Sequence, residues 1–179
     1  LPASARLLLG QVVLVGAWLA FSQARAEGVN FLLSLMCLVF ASDISAYFAG
    51  HRWGRSKLAP LISPGKTWEG VIGAYVGVLV LGGLWMGIET QLGVDSPSVY
   101  QRAFQSWGWV GLVVSVVALV ALGVVGDLFE SLIKRSMGVK DSSQLLPGHG
   151  GVLDRVDALL PVMPAGVSIL ALTARMPLA

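Results

Sequence analysis

Five stretches of the chain, 7–21, 29–50, 68–88, 107–126 and 156–174, are apolar over nearly their whole length. Crossing a hydrocarbon core takes about 20 mostly apolar residues in a helix, which satisfies each backbone N–H and C=O within the segment. Such runs restrict the chain to an all-α, polytopic membrane protein of about five transmembrane helices. Charge supports this. Only 12% of the 179 residues are Asp, Glu, Lys or Arg, against about 25% in a soluble domain. With 55% hydrophobic residues, a soluble fold of this length could not keep its apolar surface from water.

The runs differ in quality. The first is short and interrupted only by Gln11, and Arg6, the apolar core and Ala24-Arg25-Ala26 together also fit a signal peptide with a small-residue cleavage site. The second carries Asp43, and the fifth carries Pro161 and Pro164, which predict a kink. The single cysteine, Cys37, lies inside an apolar run, so neither an intrachain disulfide nor a cysteine-based metal site is expected. Leu1-Pro2 opens directly onto an apolar run without an initiator Met, as in a piece of a longer protein.

Orientation is read from lysine and arginine. Connection 51–67 holds Arg52, Arg55, Lys57 and Lys66 with no acid, and connection 127–155 holds four more basic residues. Connections 22–28 and 89–106 hold one each, Arg25 and Arg102. Alternating topology puts the two basic connections on one side, expected to be cytoplasmic. Tryptophans 53, 68, 85, 107 and 109 fall near predicted helix ends, where an interfacial belt places them. Connection 89–106 reads as an outward, turn-rich link without evident chemistry.

The few charges are unevenly placed. Residues 126–157 hold five of the ten acids (Asp127, Glu130, Asp141, Asp154, Asp157) and four of the twelve bases (Lys134, Arg135, Lys140, Arg155). Elsewhere, Asp43 stands out, because a carboxylate at mid-helix costs about 2.5–3.5 kcal/mol to insert and normally faces a polar cavity or a partner. Its neighbours Ser42 and Ser45 also suit plain helix packing. In Ser63-Pro64-Gly65-Lys66-Thr67-Trp68-Glu69-Gly70, Gly-Lys-Thr suggests a P-loop, but the glycine required five residues earlier is Pro60. A turn into the third helix remains, where free N–H groups and Lys66 attract phosphate. An interfacial lysine beside a capping Ser or Thr is the simpler alternative.

If the fourth helix continues past Gly126, then Asp127, Glu130, Ser131 and Lys134 share one face. Asp154 and Asp157 share another where the fifth begins. Both helix ends then face a loop with Lys140, Asp141 and His149. Carboxylate oxygens without cysteine or clustered histidine suit a hard cation such as Mg²⁺, which takes one or two carboxylates plus phosphate and water. The lysines and arginines suit phosphate.

The stretch Ser131-x-x-Lys134-Arg135, Lys140-Asp141, Pro147-Gly148-His149-Gly150-Gly151, Asp154-Arg155-x-Asp157 resembles the signature of the phosphatidate cytidylyltransferases, or CDP-diacylglycerol synthases. Ser63–Gly70, led by Lys57-Leu58-Ala59-Pro60, resembles that family's second motif. The likeness covers most of residues 29–174. Ile44 departs from the family's Ser or Thr after the aspartate, with Ser45 next to it. The resemblance implies a single transmembrane catalytic domain over 1–179, a fragment lacking N-terminal helices, in the bacterial inner membrane with its site facing the cytoplasm. It implies transfer of a cytidylyl group from CTP to phosphatidate, giving CDP-diacylglycerol and pyrophosphate, with Mg²⁺. It further implies Asp127 and Asp154 as metal and catalytic carboxylates, with Lys134 and Arg135 also catalytic. Ser63, Lys66, Thr67, Lys140, His149 and Arg155 become substrate-binding, and Asp43, Glu130, Asp141 and Asp157 supporting. A homodimer is compatible with it, and no nucleic-acid partner is expected.

Two alternatives stand beside this reading. A CTP-dependent transferase could act on another lipid, an ether lipid or a polyprenol, since acceptor choice lies in an apolar groove that sequence does not reveal. A transporter would place acids deep in several helices, whereas here they gather at one face.

Overall fold

The computed structural model describes residues 3–143, 145 and 151–173. In order come α1 (Ala3–Glu27), α2 (Val29–Trp53), β1 (Lys57–Ala59), β2 (Ser63–Thr67), α3 (Trp68–Leu92), α4 (Val99–Ser136), α5 (Leu153–Val156) and α6 (Leu159–Thr173). Among the described residues, five helical segments are long and apolar enough to cross a membrane, α5 and α6 together forming the fifth. Among the described residues, the one addition to an all-helical reading is an antiparallel ribbon. β1 pairs with β2 through Lys57 opposite Thr67 and Ala59 opposite Ser63, folding what the sequence showed as a turn.

α2 is the central element, packed against α1, α3, α4 and α6. Phe31, Leu35 and Leu38 of α2 join Val78 of α3, Val116, Leu119 and Val120 of α4, and Val162 and Met163 of α6 in one core. Leu8, Val76 and Val114 point outward and exposed, as lipid-facing side chains of a membrane bundle do. α1 is part of this bundle. Ala24, at the candidate cleavage site, is fully buried, and Glu27 pairs with Arg102 of α4.

α2 begins at Val29 as the apolar run does, and distant polar groups cap it there. The Asp95 carboxylate accepts from the backbone N–H of Val29 (2.5 Å) and Asn30 (3.0 Å), and Ser96 Oγ accepts from Phe31 N–H (3.2 Å). Three of the N–H groups that open α2 are thus satisfied from the α3–α4 connection. Gly28 turns the chain there with φ 153°, and a Cβ on it would strike Ser96. Buried Glu89 accepts from Asn30 Nδ2 (2.9 Å) and Ser98 N–H (3.1 Å), while Trp85 Nε1 donates to Asn30 Oδ1 (3.0 Å). Connection 89–106 is therefore not a plain outward loop: α4 begins at Val99, and the link buries a polar network. Gly108, with φ 66° and ψ −160°, breaks α4 into two axes. At the chain's last span, the break falls at Asp157-Ala158, between α5 and α6. Pro161 follows, and its missing N–H leaves the Asp157 carbonyl without the usual helical donor.

The two backbone N–H groups of Asn30 and Val29 hold the Asp95 carboxyl below the usual carboxylate range. A lowered folded-state pKa gives stability that is present above the unfolded value and lost as pH falls through the folded one. Thermal unfolding in detergent should therefore show falling stability on acidification below about pH 4. Asp95→Ala should lower the Tm at pH 7 and flatten that acid limb. An unchanged acid limb in Asp95→Ala would place the pH dependence elsewhere.

Candidate functional site

The hairpin, the C-terminal end of α2, the start of α3, the end of α4 and the start of α5 meet at one end of the bundle. Of the sequence-selected residues, Lys66 reaches out of β2 to form an ion pair with Asp127 Oδ2 on α4. Ser131 Oγ, one turn on, lies 3.4 Å from Asp127 Oδ1. Arg135 Nε donates to the Ile62 carbonyl at the hairpin turn (3.4 Å), a second tie between hairpin and α4. Asp43, on α2, borders a narrow cleft lined also by Ser42, Leu119, Gly123, Ala158 and Val162. Its carboxylate is in electrostatic range of Lys66 and Asp127, and Asp127 and Asp43 both act on Asp157.

Lys134 sits between two acids. Its Nζ donates to Glu130 Oε2 at 2.7 Å and to Asp154 Oδ1 at 2.6 Å. Asp154 also organises the preceding loop. It accepts from Ser142 N–H (3.0 Å), Ser142 Oγ (2.8 Å) and Gly151 N–H (2.7 Å). Gly151 has to be glycine-sized there, because a Cβ would run into Ser142 and Ser143. Buried Glu130 keeps one oxygen, Oε1, without a hydrogen-bond partner. Asp157 accepts from Ala158 N–H at 2.7 Å, at the start of α6. α4 comes close enough for this grouping because Gly126 faces Pro161 and the Asp157 carbonyl without a Cβ.

The remaining selections fall as follows. Thr67 is buried and its Oγ1 accepts from Gly70 N–H (3.1 Å), capping α3. Ser63 is half-buried in β2, Lys140 and Asp141 are exposed after α4, and Arg155 is exposed on α5. His149 lies outside the described residues. Sequence reasoning missed Ser142 and the Ile62 carbonyl. Neither carries a periodicity or composition signal, and each acts through a partner 12 or 73 residues away.

Among the described residues, no three His, Cys, Asp or Glu side chains stand together as a metal cage. A hard divalent cation needs less from the protein, since Mg²⁺ takes one or two carboxylates and fills its octahedron with water and substrate phosphate. The acids at this end, Asp127 and Asp154 among them, offer oxygen donors, the donor type such an ion takes, and one oxygen of Glu130 has no hydrogen-bond partner. Lys66 and Lys134 place ammonium groups against these carboxylates.

Comparison with known proteins adds to this geometry. Residues 3–173 match the Cytidylyltransferase family. A Haemophilus influenzae protein named phosphatidate cytidylyltransferase is 46% identical over 138 residues, covering 77% of this chain and 44% of the relative. Proteins of the same name from Pseudomonas aeruginosa and Staphylococcus aureus are 38% and 39% identical, covering 92% and 87% of this chain and 57% and 55% of those relatives. The chain thus spans about half the length of the curated relatives it matches.

Proposed function

We propose, because the chain belongs to the cytidylyltransferase family, that it transfers the cytidylyl group of CTP to the phosphate of phosphatidate. The phosphate of the lipid attacks the α-phosphorus of CTP, the new phosphoanhydride forms, and pyrophosphate leaves with the electron pair of the broken bond. A lipid phosphate is already ionised at neutral pH, so the site has little need of a general base. It has to hold two anions together and stabilise charge on the phosphoryl oxygens and the leaving group.

The observation that carries this reading is the meeting of Lys66 and Asp127 from two segments, beside Lys134 and Asp154. Lys66, Lys134, Arg135, Lys140 and Arg155 are the proposed phosphate ligands, and Ser63 and His149 are proposed to share in substrate binding. Asp127 and Asp154 would hold Mg²⁺, and Asp43, Glu130, Asp141 and Asp157 would support them. When bound, that ion supplies charge neutralisation on the polyphosphate. Thr67 acts through the backbone, by fixing the start of α3 behind Lys66. The concentration of basic residues at this end supports a cytoplasmic orientation, and the bacterial relatives support a plasma-membrane location.

The direct test is pyrophosphate release by the detergent-solubilised protein with CTP and phosphatidate, with and without Mg²⁺. The expected result is release that needs both substrates and stops on chelation. Release that persists without phosphatidate, or that prefers an ether-lipid or polyprenyl phosphate, would redirect the assignment.

A further inference from the structure

We propose that Lys66 and Lys134 stand in the cation positions of the site, so that it admits a polyphosphate only together with its own divalent cation. This rests on the cytidylyl-transfer reading above. The two acids proposed to hold the metal are each already paired with an ammonium group. Lys66 contacts Asp127 Oδ2, and Lys134 lies 2.6 Å from Asp154 Oδ1. These are not loose surface pairs: Lys66 and Asp127 are 24% and 33% exposed, and Lys134 and Asp154 16% and 13%.

Two half-ligands fare badly alone. A cation approaching Asp127 by itself meets Lys66 on the same carboxylate and, once it displaces that ammonium, leaves it only the more distant pull of Asp43. A polyphosphate that draws Lys66 away by itself leaves Asp127 in the range of Asp43, with Asp157 also close to both. Like charges at that spacing repel, and partial burial weakens the screening. Arrival of both partners together keeps each charge matched, the cation on the carboxylate and the lysine on phosphate oxygens. Metal and polyphosphate then assist each other, and linkage makes that assistance equal in both directions.

The consequence has an unusual sign. Lys66 opposes binding of the free metal ion while favouring binding of the metal–nucleotide complex. Isothermal titration of the detergent-solubilised protein with Mg²⁺ alone, and with CTP at saturating Mg²⁺, reads both. Lys66→Met should bind Mg²⁺ alone about tenfold more tightly than wild type and the CTP complex about tenfold more weakly. Lys66→Arg should track wild type for Mg²⁺, and Lys57→Met, which removes the same charge from an exposed position on the partner strand, should change Mg²⁺ affinity less than about twofold. Lys66→Gln serves if the Met variant is not monodisperse. Equal or weaker Mg²⁺ binding by the neutral variants, or equal tightening by Lys57→Met, overturns the exchange and leaves Lys66 a structural partner of Asp127. Failure of wild type to bind Mg²⁺ even with CTP present overturns the metal reading itself.

Discussion

Asp127→Asn is expected to leave the protein folded and to lower pyrophosphate release by at least about 10²–10³-fold. Asparagine keeps the shape of the side chain and one oxygen, which can accept either from Lys66, now on Oδ2, or from Ser131 Oγ, now beside Oδ1. What it loses is the charge, and with it the ability to hold a cation against the polyphosphate. The fold should tolerate the change because Asp127 is not a fully buried group: a third of its side chain is exposed. Asp154→Asn should show a different pattern. Asp154 accepts from Ser142 and Gly151 as well as Lys134, so its loss of charge should both lower activity and raise amide hydrogen exchange around Ser142. Turnover of Asp127→Asn within about tenfold of wild type would remove Asp127 from the reaction.

That contrast also shows what the sequence made legible. The helical face of Asp127, Glu130, Ser131 and Lys134 follows from periodicity, and the part of α4 after Gly108 places them as that periodicity requires. Periodicity does not say which opposite charge each will meet. Lys66–Asp127 and Lys134–Asp154 depend on how far the hairpin and α5 approach α4, which is set by Gly126 packing on Pro161 and by Arg135 holding the Ile62 carbonyl. Thr67 shows the same limit from the other side. Gly-Lys-Thr puts a hydroxyl next to a lysine, but this hydroxyl is spent on Gly70 N–H as a cap.

The membrane spans were legible because a run of about 20 apolar residues has few other uses. The starts at Val29 and Trp68 were legible too, but the start of α4 at Val99 and the polar groups that cap these ends were not. α2 starts where Asp95 and Ser96 meet its N–H groups from 65 or more residues away, and α4 starts at a Ser98 cap whose own N–H is held by Glu89. A polar network that pairs the ends of three helices leaves only scattered Asn, Glu, Asp and Ser in the sequence. Those same residues compose ordinary loops, which is why 89–106 read as one.

The largest structural effect should come from a single methyl group, and its sign should reverse along α3. A Cβ at Gly73 would collide with the Ala49 side chain and the Ser45 carbonyl, and one at Gly77 with Ser45. At Gly83 and Gly87 nothing lies within 4 Å. Close helix approach through small residues is a main source of stability where water provides no driving force between helices. Gly73→Ala should therefore destabilise by about 1–3 kcal/mol, as overpacking against unyielding backbone does. Gly83→Ala and Gly87→Ala should be neutral or stabilise by up to about 1 kcal/mol through helix propensity. Gly73 and Gly77 should be comparably sensitive, since the Cβ atoms of Ala49 and Ser45 that they face are fixed to the α2 backbone and cannot rotate aside. Activity should fall with Gly73→Ala beyond the loss of folded protein, because the α2–α3 contact fixes Asp43 on one helix and the hairpin carrying Lys66 on the other. Thermal unfolding in detergent with activity per folded molecule measures both effects. Equal stability changes at Gly73 and Gly83 would mean that α2 and α3 do not approach so closely.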